Sequence, residues 1–153
     1  MQVNDRAPGF ILPDEHGRQV SLSDYLGKYV VLYFFPKADT PGCTVEACGF
    51  RDAYSRIQKS GAVVLGISAD TPEKQLQFKE KYNLPFTLLA DTKRMVCETY
   101  GVLRERDVSG RTSMGIERTT FLIGPDGRIA KIFPKVRAQG HAEEVWGALQ
   151  MSS

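Results

Sequence analysis

Two apolar runs with a helical pattern between them constrain the fold of this 153-residue chain most strongly. The runs "KYVVLYFF" (28–35) and "AVVLGIS" (62–68) consist largely of β-branched, aliphatic and aromatic residues, which predicts strands buried on both faces of a sheet. Between them Val45, Phe50 and Ile57 recur at helical spacing. A strand, a helix and a strand in this order form a parallel crossover unit.

The remaining segments extend this unit. The pattern of residues 9–22 predicts a β-hairpin, and that of residues 71–83 predicts a helix with Thr71 as its N-cap. The segment "FTLLA" predicts a short strand. It is followed by a short helix, a hairpin that turns at "PDG" and a terminal helix. The order predicts an α/β protein with a thioredoxin-like fold: a mixed central β-sheet flanked by helices, with an N-terminal β-hairpin extension. No linker or repeat interrupts residues 1–153, so a single domain is expected.

Composition and charge argue against several classes of function. Charged residues make up 25% of the chain and the net charge is +2 with both signs interspersed, so neither nucleic acid nor a membrane is expected as a partner. Arg104, Arg106 and Arg111 lie in a predicted loop beside acidic residues and are expected to be solvated. The first residues lack a signal-peptide profile and no apolar run approaches transmembrane length, which predicts a cytoplasmic protein.

The stretch "TPGCTVEAC" carries the clearest chemical signal. With Thr40 as N-cap and Pro41 as the first helical residue, Cys43 falls in the first turn of the helix that follows the central strand. Free amide donors and the positive end of the helix dipole stabilise a thiolate at that position, and Gly42 leaves the approach to the sulfur open. The pattern therefore favours a reactive Cys43 over a small apolar cysteine packed at a helix start.

The second cysteine, Cys48, lies five residues further along the same predicted helix. That spacing puts the two Cα atoms roughly 8–9 Å apart on a regular helix. A disulfide needs Cα atoms within about 7 Å. Either the two thiols never pair, so that Cys48 is a packed residue of the helix face, or the first turns unwind to let them pair.

Two further residues are ambiguous from the sequence. Cys97 lies on a short predicted helix, but not at a cap position where the helix end would favour a thiolate. It is therefore interpreted as a packing residue or an idle surface thiol. Arg118 begins the strand expected beside the first one, where it would either be solvated or reach a thiolate at the end of "VVLYFF".

The segment "FFPKADTPGCTVEACGFRD" resembles the active-site signature of the peroxiredoxins, specifically the bacterioferritin comigratory protein or Q-type group. The likeness extends over nearly the whole chain, including "VLGISADTPEKQLQFKEKYNLPFTLLAD" and "MGIERTTFLIGPDGRI". Its core is a Pro-x-x-x-Thr-x-x-Cys pattern, which Pro36, Thr40 and Cys43 fill.

The resemblance implies roles for five residues. Cys43 would be the peroxidatic cysteine, Thr40 would hydrogen-bond the peroxide and Pro36 would shield the sulfur from bulk water. Arg118 matches the active-site arginine of the family, and Cys48 matches the resolving cysteine of members with five-residue spacing. The family assigns no general catalytic role to a cysteine at position 97.

The implied activity is thiol-dependent reduction of hydrogen peroxide and organic hydroperoxides. Cys43 would be oxidised to sulfenic acid and then bridged by Cys48, and thioredoxin or a similar dithiol would reduce the disulfide. No metal, haem, flavin or other cofactor is implied. A monomer is expected, because both thiols lie in one chain.

Two other functions use the same residues. A thiol–disulfide oxidoreductase is disfavoured because C-x-x-C is absent and Thr119 occupies the position of the thioredoxin cis-proline. A peroxide sensor or redox-regulated binding module would use the same cysteine pair as a signal. The segment "VLRERDVSGRTS" departs from the family pattern and is expected near the mouth of the site, where it would affect preference among peroxides or reductants.

Overall fold

The computed structural model of the chain describes residues 1–152, apart from the side chains at positions 106, 108 and 152. Within that range a short 3-10 helix (Leu22–Tyr25) accompanies nine strands and four α-helices: β1 (Ile11–Pro13), β2 (Gln19–Ser21), β3 (Tyr29–Phe34), α1 (Pro41–Lys59), β4 (Ala62–Ser68), α2 (Pro72–Tyr82), β5 (Thr87–Ala90), α3 (Met95–Thr99), β6 (Leu103–Val108), β7 (Arg111–Ile116), β8 (Thr119–Ile123), β9 (Ile129–Phe133) and α4 (His141–Ser152).

The central sheet has five strands in the order β5-β4-β3-β8-β9. β3 pairs with β4 in parallel and β4 with β5 in parallel, whereas β8 runs antiparallel to both β3 and β9. The predicted crossover unit and mixed sheet are therefore confirmed. β1 and β2 form the predicted N-terminal hairpin as a separate two-stranded sheet.

Alternation along β3 divides the interior into two cores, because successive strand residues point to opposite faces. Val31 and Tyr33 pack with Phe50 of α1 and Val145 of α4 on one face. The neighbouring residues of β3 pack on the other face with side chains from the N-terminal hairpin, from α3 and from β8, which include Leu12, Val20, Cys97, Tyr100 and Phe121.

Helix α1 buries the stripe that the sequence pattern predicts, except at its first position. Phe50 and Ile57 are buried as expected, but Val45 is 48% exposed. Its place on the buried face is taken by Glu46 and Ala47. The prediction was wrong at Val45 because hydrophobicity alone assigned it to the apolar stripe, whereas the charged residue next to it is the one that faces inward.

The structure also corrects the predicted loop at residues 104–111, which forms the hairpin of β6 and β7. Its charged strands show no apolar alternation, so the usual strand signal is missing. The turn is made by Ser109 and Gly110, whose positive φ values of 54° and 76° suit a two-residue hairpin turn. Arg104 and Arg111 are exposed, as expected, while the side chain of Arg106 lies outside the described residues.

No helix among the described residues is both long and apolar enough to cross a membrane. The single-domain organisation, the cytoplasmic location and the monomeric state stay predictions.

Close packing between β3 and β4 generates the first test. A Cβ atom at Gly66 would lie 2.9 Å from ring atoms of its cross-strand partner Tyr33 and 2.9 Å from Cδ2 of Leu88. Gly66→Ala should therefore lower the free energy of unfolding by roughly 1–3 kcal/mol. Gly147→Ala is the control, since a Cβ there meets nothing within 4 Å and a helix interior favours alanine by about 0.5–1 kcal/mol. Denaturant titration of both variants that gave equal midpoints would contradict the packing argument.

Candidate active site

Cys43 lies in the first turn of α1, directly beyond the carboxyl end of β3. The residue is only 1% exposed and belongs to the core between the sheet and α1. Both the predicted strand-to-helix arrangement and the position of the thiol in the first helical turn are confirmed. Burial on this scale means that the groups around the sulfur, rather than bulk water, govern its charge.

The loop between β3 and α1 is tied to the neighbouring elements at several points. The amide of Phe35 donates to the carbonyl of Ile67 at 2.9 Å, and the amide of Ala38 donates to Oδ2 of Asp70 at 2.8 Å. Asp39 adopts a left-handed φ of 59°, and its carboxylate accepts hydrogen bonds from Lys81 and from Tyr82 of α2. These contacts fix the point at which the active-site helix begins.

Thr40 takes the extended N-cap backbone conformation that the sequence predicts, and its carbonyl accepts the first helical hydrogen bond from Thr44 at 2.8 Å. Its side chain makes no capping hydrogen bond to the helix. The Thr40 hydroxyl instead donates to the carbonyl of Lys37 at 2.8 Å. The hydroxyl proton is thereby committed to the loop, and the oxygen keeps lone pairs that can accept a hydrogen bond from a ligand.

Arg118 reaches the thiol from the neighbouring strand. It immediately precedes β8, whose Thr119 is paired with Phe34 at the end of β3, so its side chain starts at the same edge of the sheet. Its Nη2 atom donates to Sγ of Cys43 at 3.5 Å. A Cβ atom at position 42 would lie 2.9 Å from the same nitrogen, so Gly42 makes room for the guanidinium. The structure therefore favours contact with the thiol over the solvated alternative.

Glu46 is the site residue that sequence reasoning missed. It lies one turn after Cys43, its side chain has no exposed surface, and its Oε1 atom accepts from Nη1 of Arg118 at 2.7 Å. Oε2 is buried without a hydrogen-bond partner. Burial raises the pKa of this carboxyl to about 7, although the charge and hydrogen bond of Arg118 act in the opposite direction. The available signal was the three-residue spacing from Cys43, which places both side chains on one face of a helix.

Tyr33 supplies a second buried polar atom on this side of the sheet. Its hydroxyl has no hydrogen-bond partner. Burial is the main cause that raises the pKa of the Tyr33 hydroxyl well above its ordinary value, and the nearby acidic groups Glu46 and Cys43 act in the same direction. The phenol is therefore neutral.

Pro36 and Cys48 are the remaining residues of the predicted site. Pro36 is half-buried in the loop before α1, and Cys48 is half-buried on the helix near Arg51. Cys43 and Cys48 are both free thiols within one unbroken helix, Pro41–Lys59.

Cys97 is fully buried in the core on the opposite face of the sheet, which confirms a packing role and excludes the surface alternative. Burial, together with the nearby Asp91, raises the pKa of the Cys97 thiol far above its ordinary value. Val102 and Ile116, at the base of the β6–β7 hairpin, pack in the same core. The expectation that this segment lies near the mouth of the site stays a prediction.

The arrangement suits nucleophilic chemistry at sulfur. A thiol lies in the first turn of a helix, a guanidinium donates to it, and the hydroxyl oxygen of the N-cap residue Thr40 can accept a hydrogen bond. Across residues 1–152, no cluster of three or more His, Cys, Asp or Glu side chains is arranged to hold a metal ion.

Comparison with known proteins finds one family across most of the chain. Residues 3–132 match the AhpC/TSA family. Peroxiredoxin Bcp of Escherichia coli (strain K12) is 48% identical over 145 residues, which are 95% of this chain and 93% of that protein.

Solved structures agree with this match. A cysteine mutant of PrxQ from Xylella fastidiosa superposes with a TM-score of 0.93 at 33% identity, covering 99% of this chain and 97% of that one. The bacterioferritin comigratory protein of Xanthomonas campestris, solved in a study of its alkyl peroxide reduction activity, gives 0.89 at 34% identity, with coverage of 94% and 91%.

The raised pKa of Glu46 predicts how stability depends on pH. The carboxyl has an ordinary pKa of 4.5 but keeps its proton to about pH 7 when folded. The folded chain therefore binds more protons than the unfolded chain in that window, so this group makes the free energy of unfolding fall as pH rises. The free energy of unfolding of Glu46→Gln should lack this fall. Between pH 4.5 and about pH 7 it should therefore rise relative to that of the native chain by on the order of 3 kcal/mol. Denaturant titrations of both chains under reducing conditions test this, and parallel stability curves would contradict it.

Proposed function

Because the chain belongs to the AhpC/TSA family and, within it, to the peroxiredoxins of the Bcp and PrxQ group, we propose that it reduces hydrogen peroxide and organic hydroperoxides at Cys43. Cys48 then forms a disulfide with Cys43, and thioredoxin or a similar dithiol reduces it. Organic hydroperoxides are included because the similar Xanthomonas campestris protein is described as having alkyl peroxide reduction activity.

One observation carries the proposal: the Arg118 guanidinium contacts a buried thiol in the first turn of a helix. A cation and the helix N-terminus both favour the thiolate, which is the nucleophilic form. The same guanidinium is fixed before the reaction begins, so it can stabilise negative charge that develops on a peroxide oxygen without further reorganisation.

The first step is displacement at the O–O bond. The Cys43 thiolate attacks the terminal oxygen of ROOH, an S–O bond forms, the O–O bond breaks, and the alkoxide leaves and takes up a proton to give ROH. The Thr40 oxygen, whose proton is held by the carbonyl of Lys37, is free to accept the hydrogen bond of the peroxide hydroxyl. Pro36, half-buried beside this loop, limits access of water.

The second step joins the two thiols. Cys48 attacks the sulfenic acid of Cys43, a disulfide forms, and water leaves. Because a regular helix holds the two Cα atoms roughly 8–9 Å apart, the first turns of α1 must unwind before the sulfurs can bond. This unwinding has to expose Cys43, Glu46 and Ala47, which are buried in the intact helix.

Recycling separates an enzyme from a peroxide sensor that uses the same cysteines. An enzyme consumes many equivalents of peroxide when a dithiol reductant is supplied, whereas a sensor is oxidised once per molecule. We expect repeated turnover, since the family comprises peroxidases.

The peroxidatic role is tested with matched cysteine variants. Cys43→Ser should abolish peroxide consumption in a thioredoxin-coupled assay, because an alcohol in this position is far less acidic than a thiol. Cys97→Ser is the control and should keep nearly full activity, since that thiol is buried on the other face of the sheet. Substantial turnover by Cys43→Ser would move the chemistry to another residue.

The role of the guanidinium is tested by Arg118→Ala. Loss of the donor should slow oxidation of Cys43 on the order of 10²–10³-fold in stopped-flow measurements. Arg128→Ala removes an exposed guanidinium that donates to the carbonyl of Asn4 at 3.0 Å, and this variant should react at the native rate. Equal oxidation rates in the two variants would reduce Arg118 to a general surface charge.

The resolving role is tested by Cys48→Ser. This variant should react once with peroxide, accumulate sulfenic acid on Cys43 and fail to turn over with thioredoxin. In the native chain, amide hydrogen exchange across residues 43 to 52 should be markedly faster in the disulfide form than in the dithiol form, since the helix is opened. Normal recycling by Cys48→Ser would overturn the role, and equal protection in both forms would overturn the unwinding.

A further inference from the structure

Arg118 holds two potential anions with one positive charge. Its Nη2 atom contacts the sulfur of Cys43 at 3.5 Å, and its Nη1 atom contacts Oε1 of Glu46 at 2.7 Å. Cys43 is 1% exposed and the Glu46 side chain is wholly buried. A buried site with one cation and two anions carries an uncompensated negative charge, which costs several kcal/mol.

Building on the proposed peroxidase function, we propose that Glu46 is the charge-balancing residue of Cys43. It carries a proton while Cys43 is a thiolate, and it gives up that proton when Cys43 becomes sulfenic acid. Glu46 does not contact the peroxide in this proposal. It acts through Arg118, whose positive charge it shares with Cys43, and is therefore a positioning residue rather than a catalytic one.

The other titratable groups described around the site do not alter this balance. Tyr33 on β3 is a neutral phenol, as its raised pKa requires. His141 on α4 is bonded through Nε2 to Thr120 at 2.8 Å and through Nδ1 to Glu144 at 2.9 Å. Burial lowers the pKa of His141, which keeps the ring neutral near pH 7. Cys48 is further along α1 and only half-buried. Three groups therefore set the charge: Arg118, Cys43 and Glu46.

The hydrogen-bonding of Glu46 suits a neutral carboxyl. Oε1 accepts from Arg118, as the carbonyl oxygen of a protonated acid can, and Oε2 is the buried oxygen without a partner. An ionised carboxylate with one unpaired buried oxygen keeps part of its charge unsolvated, which costs more than leaving a neutral hydroxyl unpaired. The raised pKa of about 7 agrees with this assignment.

The proposal balances protons within the oxidation step. Cys43 thiolate, hydrogen peroxide and protonated Glu46 give Cys43 sulfenic acid, water and Glu46 carboxylate. The S–O bond forms, the O–O bond breaks, the sulfur is oxidised and the peroxide reduced, and the departing hydroxide is matched by the proton that leaves Glu46. Arg118, released from the thiolate, then pairs with the new carboxylate. The solution supplies no net proton.

The test counts protons in a single turnover. The Cys48→Ser chain, which should stop at sulfenic acid, is mixed with hydrogen peroxide in weakly buffered solution with a pH-indicator dye, at about pH 6, where Glu46 is mostly protonated. With Glu46 present, proton uptake should be well below stoichiometric, whereas Cys48→Ser with Glu46→Gln should take up about one proton for each sulfenic acid formed. The Glu15→Gln control removes another buried carboxylate, which pairs with Lys79 at 2.7 Å, and should leave the count low.

Several outcomes overturn the proposal. Uptake of about one proton per sulfenic acid by the chain that keeps Glu46 would show that this residue releases no proton during oxidation. If Glu46→Gln does not fold, infrared difference spectra of Cys48→Ser before and after oxidation provide the test. Loss of a protonated-carboxyl band on oxidation supports the proposal, and a spectrum in which no such band is lost overturns it. If no sulfenic acid forms on Cys43, the peroxidase function fails first and the proposal falls with it.

Discussion

The contact between the Arg118 guanidinium and the Cys43 sulfur depends on the architecture of the whole sheet. The arginine precedes β8 and the cysteine follows β3, and the antiparallel pairing of these strands brings residues 75 positions apart to one edge. The carbonyl of Arg118 also accepts from the amide of Val136 at 2.8 Å, which anchors the main chain beneath the guanidinium. Two unit charges about 4 Å apart attract by about 4 kcal/mol near a protein surface and about 1 kcal/mol in water. Burial therefore gives this contact its strength.

The burial of Cys43 has opposite effects on the two steps of the proposed reaction. Oxidation requires Cys43 to be enclosed with its donors, whereas disulfide formation requires the helix to release it. The ties on the preceding loop, from Asp70 to Ala38 and from Asp39 to α2, favour the enclosed state. A sulfenic acid no longer offers a full negative charge to Arg118. Oxidation thus weakens the contact between Arg118 and Cys43, while the pair of Arg118 and Glu46 still ties α1 to the sheet. Release of Cys43 has to overcome that pair and the ties on the loop.

Much of this arrangement could be predicted from the sequence, and the exceptions have physical causes. The buried strands β3 and β4 and the start of α1 carry strong local signals, namely apolar runs and a Thr-Pro cap, so their positions and that of Cys43 could be inferred. The inward orientation of Glu46 and the outward one of Val45 depend on the distant Arg118, which a local hydrophobic pattern does not register. The β6–β7 hairpin lacks apolar alternation, and only the turn at Ser109 and Gly110 marked it.

The close approach of the Arg118 guanidinium to Gly42 has a consequence for how this active site can vary. A Cβ atom at that position would lie 2.9 Å from the arginine nitrogen that meets the sulfur, so the residue before the cysteine is constrained by one that lies far away in the chain. A side chain at position 42 would therefore displace the end of the Arg118 side chain, which is flexible and can shift at little cost. The identity of residue 42 thus affects where the guanidinium meets the sulfur, although the glycine itself takes no part in the chemistry.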